Sequence, residues 1–150
     1  MFVVNNICIT FADVNNKQIT IRSGGNRKFG IWQMNKKQTS VLLALAAIAI
    51  NNKEGYTVNA ATLQPVTSGY AVAVADTQNS FGLDGLKNVV QYVENHPEVN
   101  AFGGWYNSDN NMYYYDATVI VDDLEAAKEL GRINNQIAIF DLANLEEIRL

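Results

Sequence analysis

The sequence predicts an α+β fold with a C-terminal ferredoxin-like βαββαβ antiparallel sheet carrying two helices, plus an N-terminal β-meander and one buried apolar helix. Three observations predict it. Apolar residues alternate with a period of two just after Gly69, change to helical spacing at Leu83, and resume helical spacing after Asp122. Two strand-like segments separate the helical ones, which gives the split-βαβ order. Right-handed crossovers would place both helices on one face of the sheet.

The chain begins with a predicted β-meander. Residues 7–11 and 18–22 alternate around Asn15-Asn16, and this arrangement predicts a hairpin. Gly24-Gly25-Asn26 then indicates a turn into a third strand over residues 28–34.

A strongly apolar segment follows the meander. Residues 39–50 are apolar almost all round, which indicates a helix that is buried on every side. Residues 46–50 could form a strand instead, because periodicity does not decide a short apolar run. We expect the helix and the meander to pack on the C-terminal half, where the free face of the sheet needs a cover.

The C-terminal half carries the clearer pattern. Residues 54–66 are predicted to be a connecting loop. The predicted elements after it are a strand over 69–76, a helix from 83 that ends before Pro97, a strand over 101–106, a turn over 107–111, a strand over 112–121, a helix over about 122–133 and a strand over 136–142.

The second of these helices has clear terminal signals. Asp122 with Glu125 three residues later forms an Asp-x-x-Glu capping box, which predicts Asp122 as the N-cap. Asn134-Asn135 supplies residues that tolerate the left-handed conformation at a helix C-terminus.

Charge divides the chain into a basic segment, residues 1–65, and an acidic segment, residues 66–150. The first carries seven cations and two acids, a net charge of +5, and the second carries four cations and thirteen acids, a net charge of −9. At physiological salt the field of a charge is screened beyond about 8 Å, so a partner senses mainly local charge. The asymmetry between the segments therefore says more about partners than the net charge of −4 does. The two segments are the expected domains, packed together.

Composition bounds the protein class. The single cysteine, Cys8, excludes an internal disulfide and fits a reducing compartment. The N-terminus lacks a signal-peptide pattern, and the longest apolar run, residues 41–50, is about half of what a bilayer requires. We therefore expect a cytoplasmic protein that does not associate with membranes.

Enzymatic chemistry finds little support, and we expect neither an enzyme nor a metal or other cofactor. One histidine, His96, and one cysteine cannot build a zinc site within one chain. The sequence lacks a calcium loop, a nucleophile elbow and a phosphate-binding glycine pattern. His96 precedes Pro97 at a helix end, where it predicts a cap rather than a general base.

The segment Tyr113-Tyr114-Tyr115-Asp116 offers the most distinctive cluster. On a strand, Tyr114 and Asp116 share the face opposite Tyr113 and Tyr115. If that face is open, Tyr114 could stack on a ring and Asp116 could accept hydrogen bonds. If the N-terminal helix covers the face, the two form a buried hydrogen-bonded pair. Trp105, beside two glycines, is expected in the core.

The basic segment is a candidate nucleic-acid interface, because cations meet phosphates and an exposed tryptophan stacks on bases. The alternative is a set of solvated residues around turns, and a further one is docking onto the acidic half of a second copy. The candidate residues are Lys17, Arg22, Arg27, Lys28, Trp32, Lys36 and Lys37.

The last fifty residues resemble small uncharacterised accessory proteins of phages and mobile elements. The similarity lies in residues 103–106, 113–116, 121–127 and 135–142. It implies a setting in which short proteins counter host defence, as anti-CRISPR proteins do. It implies no activity of its own.

We expect a small non-enzymatic interaction protein that binds a basic protein surface, such as that of a nucleic-acid-binding host protein, through an acidic face. Nucleic-acid binding by the basic segment is the alternative, and a homodimer is also compatible with the charge split. The expected partner-binding residues are Asp109, Tyr114, Asp116, Asp122, Asp123, Glu125 and Glu129.

Overall fold

A computed structural model describes residues 2–4, 7–11, 19–23 and 34–150, with side chains from residue 34 onward. The chain divides into two compact units, Met1–Lys36 and Lys37–Leu150.

The first unit contains a three-stranded antiparallel sheet. Its strands are β1 (Phe2–Val4), β2 (Ile7–Phe11) and β3 (Ile19–Ser23), in the order β1-β2-β3. The predicted pairing of β2 with β3 is confirmed, with Ile9 opposite Ile21. The predicted Asn15-Asn16 turn lies outside the described residues, as does the predicted third strand except for Met34, which belongs to no strand.

The second unit contains a six-stranded antiparallel sheet and, among the residues described, three α-helices, so the α+β class is confirmed. The sheet order is β4-β6-β7-β5-β8-β9. The elements are α1 (Lys36–Asn51), β4 (Tyr56–Asn59), β5 (Tyr70–Ala73), α2 (Gly82–Asn95), β6 (Ala101–Asn107), β7 (Met112–Val121), α3 (Leu124–Ile133), β8 (Ala138–Asp141) and β9 (Glu146–Arg149).

Two edge strands of this sheet were not predicted, nor was β1 of the first unit. β4 lies inside the segment expected to be a loop, residues 54–66. It was missed because it is only four residues long and is followed by a turn. Its outer side is covered by the chain that follows, where the Val66 N–H donates to the Thr57 carbonyl over 3.0 Å. β9 has the sequence Glu-Glu-Ile-Arg, whose three charges hide its period of two.

α1 confirms the predicted helix and rules out the alternative strand over residues 46–50. The expectation of burial on every side is wrong: Thr39, Leu42, Leu45 and Ala49 form one buried stripe, whereas Ile50 is 48% exposed. Several of the remaining positions are alanines, whose small apolar area leaves little cost to exposure.

The two ends of α1 make contacts on the helix-bearing side of the sheet and not on the free face that we expected it to cover. The carbonyl of Asn52, just after the helix, accepts a 2.7 Å hydrogen bond from the Tyr113 hydroxyl, and Gln38 donates to Glu94 of α2. Tyr113 shares its face with Val121, which packs on the α3 cluster. These contacts therefore lie on the helix-bearing face, opposite Tyr114.

The other two helices pack on the centre of the sheet. α2 lies along β7 and buries Leu86, Val89 and Val90. It ends at Asn95 with His96 as its C-cap, directly before Pro97, as predicted. α3 packs through Ala127 on a buried cluster with Val72 of β5 and Ile139 of β8. No helix in the described part of the chain has the length and apolar character needed to cross a bilayer.

The N-cap of α3 is Asp123 and not the predicted Asp122. The Asp123 carboxylate accepts a 2.8 Å hydrogen bond from the backbone N–H of Ala126. Glu125 therefore occupies the second helical position, where it pairs with Lys128 at 2.8 Å instead of closing a capping box. Asn135 adopts the predicted left-handed conformation after the helix, with φ of 53°.

We expect Asp123→Ala to lower the free energy of unfolding by about 1 kcal/mol, because the cap hydrogen bond is lost. Asp122→Ala is the matched control: it removes the same charge one residue earlier and should change stability by less than about 0.5 kcal/mol. Urea unfolding measures both. A larger loss in Asp122→Ala than in Asp123→Ala would contradict the cap assignment.

Candidate binding site

Three aromatic side chains form a partly exposed group, the aromatic patch: Phe81, Trp105 and Tyr114. Trp105 stacks on Tyr114 with ring centroids 4.9 Å apart and planes 16° apart, and Phe81 leans on Tyr114 at 5.5 Å. Trp105 is 44% exposed and Phe81 is 46% exposed. The expectation that Trp105 belongs to the core is therefore wrong. Its ring is supported on one side and accessible to a partner.

The sheet register creates the stack. Trp105 of β6 lies directly opposite Tyr114 of β7, so their side chains project from the same face. Phe81, just before α2, forms a bridge with Tyr114 from the other side. The three side chains therefore come from three neighbouring backbone segments: β6, β7 and the segment before α2.

The turn between β6 and β7 is held by asparagine side chains. Asn110 donates to the Tyr114 hydroxyl over 2.8 Å, and its carbonyl oxygen accepts from the Met112 N–H. Asn111 adopts the left-handed conformation with φ of 57° and accepts from the Tyr106 hydroxyl at 2.8 Å. These bonds fix the Tyr114 ring before any partner arrives.

The segment before α2 forms hydrogen bonds with β7 at positions where a neighbouring strand would otherwise pair. The Ser80 carbonyl accepts from the Tyr115 N–H over 2.7 Å, and the Thr77 hydroxyl accepts from the Ala117 N–H over 3.0 Å. Gly85 lets this segment approach, because a Cβ there would lie 2.3 Å from the carbonyl carbon of Ser80. Phe81 thereby reaches Tyr114.

Asp116 lies on the same strand face as Tyr114, two residues farther along. It is partly buried, and desolvation raises the pKa of its carboxyl to about 6. The hydrogen bond between Tyr114 and Asp116, expected if the N-terminal helix covered this face, is not formed. Residues two apart on a strand are separated by about 6.6 Å, and the Tyr114 hydroxyl reaches toward the turn instead.

Two further carboxylates flank the aromatic patch in the chain. Asp84 is exposed in the first turn of α2, three residues after Phe81, and lies 3.7 Å from the buried Lys87. Asp109 is exposed in the β6–β7 turn beside Asn110. Together with Asp116, they are the carboxylates nearest the patch in the chain, and Lys87 partly offsets the charge of Asp84.

The remaining acidic candidates lie at the other end of β7. The strand ends at Val121, and a ten-residue strand spans about 30 Å. The four exposed acids that follow it are Asp122, Asp123, Glu125 and Glu129. Asp109 precedes its first residue. The predicted acidic face is therefore two groups. In the second, Asp123 caps α3, and Glu125 and Glu129 pair with Lys128 and Arg132.

The tyrosines on the opposite face are structural. Tyr56, Tyr113 and Tyr115 adjoin one another, and burial raises the pKa of all three hydroxyls, that of Tyr115 to about 12. The buried Tyr56 hydroxyl has no hydrogen-bond partner within the described part of the chain. These phenols stay neutral near pH 7, so they do not act as bases there.

His96 has the predicted role at the end of α2. Its ring stacks on Tyr92 at 3.7 Å, and Nδ1 lies 2.8 Å from the Tyr92 carbonyl. A carbonyl only accepts, so Nδ1 carries the proton. Across the residues described, no three His, Cys, Asp or Glu side chains are grouped to hold a metal ion.

The basic candidates are mostly beyond the described part of the chain. Lys17, Arg27, Lys28 and Trp32 lie outside it. Arg22 stands on β3 opposite Cys8, and the exposed Lys36 and Lys37 begin α1.

Sequence reasoning found Tyr114 but missed its partners Trp105 and Phe81. The signal for Trp105 was available: a hairpin centred on the 107–111 turn places residue 105 opposite residue 114. Phe81 had no such signal, because its contact depends on a loop that leaves the regular sheet.

Comparisons with known proteins identify no relative: the chain matches no protein family, no curated protein and no solved structure.

Proposed function

We propose that this protein is a small non-enzymatic interaction protein that binds a basic surface of another protein through the aromatic patch and its flanking carboxylates. The observation that carries this proposal is the Trp105–Tyr114 stack, which leaves nearly half of a tryptophan exposed on a rigid hairpin. Tryptophan and tyrosine are the residues most enriched among those that dominate binding energy at protein interfaces.

The chemistry of the partner follows from the charges around the patch. Asp84, Asp109 and Asp116 favour a cationic partner, and an arginine or lysine placed over the Trp105 ring gains a cation–π attraction. A carboxylate with a raised pKa, as at Asp116, gains from a cation that restores its ionised form. Arginine-rich surfaces satisfy both requirements.

The resemblance to accessory proteins of phages and mobile elements supplies a partner class. In that setting we propose an anti-CRISPR-like inhibitor, with a nucleic-acid-binding defence protein as its partner. The proteins of this class carry the basic surfaces that the patch would contact.

We also propose that α2, α3 and the four strands β5 to β8 form a ferredoxin-like unit. Their chain order, strand–helix–strand–strand–helix–strand, supports it, as does their order in the sheet, β6-β7-β5-β8. β4 and β9 then extend the unit at its two edges.

Nucleic-acid binding by the basic segment is the second candidate. The division of the chain at Lys36 favours it, because Met1–Lys36 contains five cations and only one acid. A local field of that sign attracts phosphates even in a protein of net negative charge.

Fluorescence anisotropy with two labelled probes of equal length, an arginine-rich peptide and a single-stranded oligonucleotide, tests both candidates. We expect the peptide to bind and Trp105→Ala to weaken it roughly 30-fold, the effect of losing a dominant interface residue. Ile137→Ala is the matched control, since Ile137 is 80% exposed and away from the patch.

Each other outcome has a defined meaning. Peptide affinity that is unchanged in Trp105→Ala, or no peptide binding at all, contradicts the proposed interface. Oligonucleotide binding that falls steeply between about 50 and 200 mM salt and survives Trp105→Ala supports the basic segment instead.

A further inference from the structure

The two edges of the six-stranded sheet differ in how they are covered. The outer side of β4 is occupied by residues 64–66, which form backbone hydrogen bonds with it. β9 pairs with β8 on its inner side, and no strand in the described part of the chain lies on its outer side. An uncovered edge presents unpaired backbone groups that a further strand can bind.

The hydrogen-bond pattern identifies the groups that face outward. The Leu150 N–H donates to the Ile137 carbonyl of the neighbouring chain segment over 3.2 Å. In an antiparallel ladder, alternate residues bond to the same side, so Ile148 and Glu146 also bond inward. The N–H and carbonyl groups of Glu147 and Arg149 therefore point away from the sheet.

We propose that β9 pairs antiparallel with β9 of a second copy of this chain, so that Glu147 lies opposite Arg149 of the partner subunit and Ile148 lies opposite its equivalent. In this register the outward-pointing residues of one copy pair with those of the other, as a ladder requires. Each copy supplies one carboxylate and one guanidinium, so two oppositely charged pairs form.

Charge selects this register from its neighbours. A shift of the partner strand by two residues in one direction places Glu147 opposite its equivalent, and a shift in the other direction places Arg149 opposite its equivalent. Like charges directly opposite on adjacent strands are destabilising. The two side chains are exposed and already lie 3.5 Å apart within one strand, on the same face.

Apolar contacts favour the same arrangement. Ile148 packs against the cluster beneath α3, together with Leu150. A twofold axis perpendicular to the sheet would place the two Ile148 side chains side by side and keep the helices of both copies on one face. The apolar layer beneath α3 would then continue into the second copy. The aromatic patch is separated from this edge by β5 and β8, so both surfaces can be used at once.

Analytical ultracentrifugation of the full chain tests the dimer by charge reversal. Arg149→Glu places two glutamates opposite each other at both positions, and we expect the dimer dissociation constant to rise at least about tenfold. The double variant Glu147→Arg with Arg149→Glu exchanges the charges and should restore the constant to within about threefold of wild type. Both positions are exposed, so circular dichroism should show an unchanged fold.

The register has its own test in a Cys8→Ser background, which removes the only native cysteine. Oxidation should cross-link Ile148→Cys, because its equivalent lies directly opposite in a pair with Cα atoms about 4.5 Å apart. Glu147→Cys is the control, since it faces residue 149 and should not cross-link. A wild-type monomer at millimolar concentration, a dimer indifferent to Arg149→Glu, failure of the double variant to recover, or the reverse cross-linking result would each overturn the proposal.

Discussion

Gly85→Ala is expected to lower the free energy of unfolding by about 3 kcal/mol, even though alanine is the better helix former by about 1 kcal/mol. The added Cβ would lie 2.3 Å from the Ser80 carbonyl carbon and 2.9 Å from its Cα. These are backbone atoms, and they cannot move freely because the Ser80 carbonyl is bonded to the Tyr115 N–H. Steric overlap therefore outweighs the gain in helix propensity.

Urea unfolding of wild type and Gly85→Ala measures this effect. The matched control is Asn88→Ala, at an exposed position on the same helix, which should be neutral or slightly stabilising. A Gly85→Ala variant as stable as wild type would mean that residues 80 and 81 do not lie against α2 as described. Phe81 would then be removed from the aromatic patch.

Asp116→Asn is expected to stabilise the protein at neutral pH. Burial raises the pKa of the folded state's carboxyl to about 6, above the ordinary value of 3.8. The folded state thus binds the proton more tightly than the unfolded state does. This group's contribution to stability is fully present below about pH 4 and is lost as pH rises through about 6. The partly buried carboxylate must then be ionised, and no cation in the described part of the chain pairs with it. Asparagine has no such ionised form.

The stability advantage of Asp116→Asn over wild type should therefore grow by about 2 kcal/mol between pH 4.5 and pH 7.5. Urea unfolding across this range measures it. Asp109→Asn, in the exposed turn, makes the same change in net charge and serves as the control. An advantage that shrinks with rising pH, or equals that of Asp109→Asn throughout, would contradict a desolvated carboxyl at Asp116.

Local signals predicted the elements that depend on local interactions. The helical spacing before Pro97 and the Asn-rich turn over residues 107–111 each specify a structure within a few residues. β4 and β9 were missed because short edge strands are selected by the strands they pair with. The partner of β4, β6, lies far away in the chain, and β9 is separated from its partner β8 by an irregular turn. The N-cap of α3 lies one residue after the predicted one, because Asp122 and Asp123 carry the same capping side chain.

The site was less predictable than the fold. Tyr114 was identified from its strand face, but the partner of its hydroxyl was not: the hydroxyl accepts from the Asn110 side chain in the turn and does not donate to the Asp116 carboxylate. The acidic candidates share a charge and not a location, because β7 separates Asp109 from Asp122. Charge content along the sequence therefore predicts a cationic partner without predicting which surface would bind it.

The side-chain hydroxyl of Thr77 occupies a position in the β7 ladder that a strand carbonyl would normally hold. Together with the Ser80 carbonyl, it attaches residues 74–81 to β7 by hydrogen bonds that are separate from those joining β6 and β7. Local unfolding of residues 74–81 would therefore break these bonds and leave the hairpin intact. Phe81 would then withdraw while Trp105 and Tyr114 stay stacked, so the patch depends on two separate sets of hydrogen bonds, one for Phe81 and one for the Trp105–Tyr114 stack.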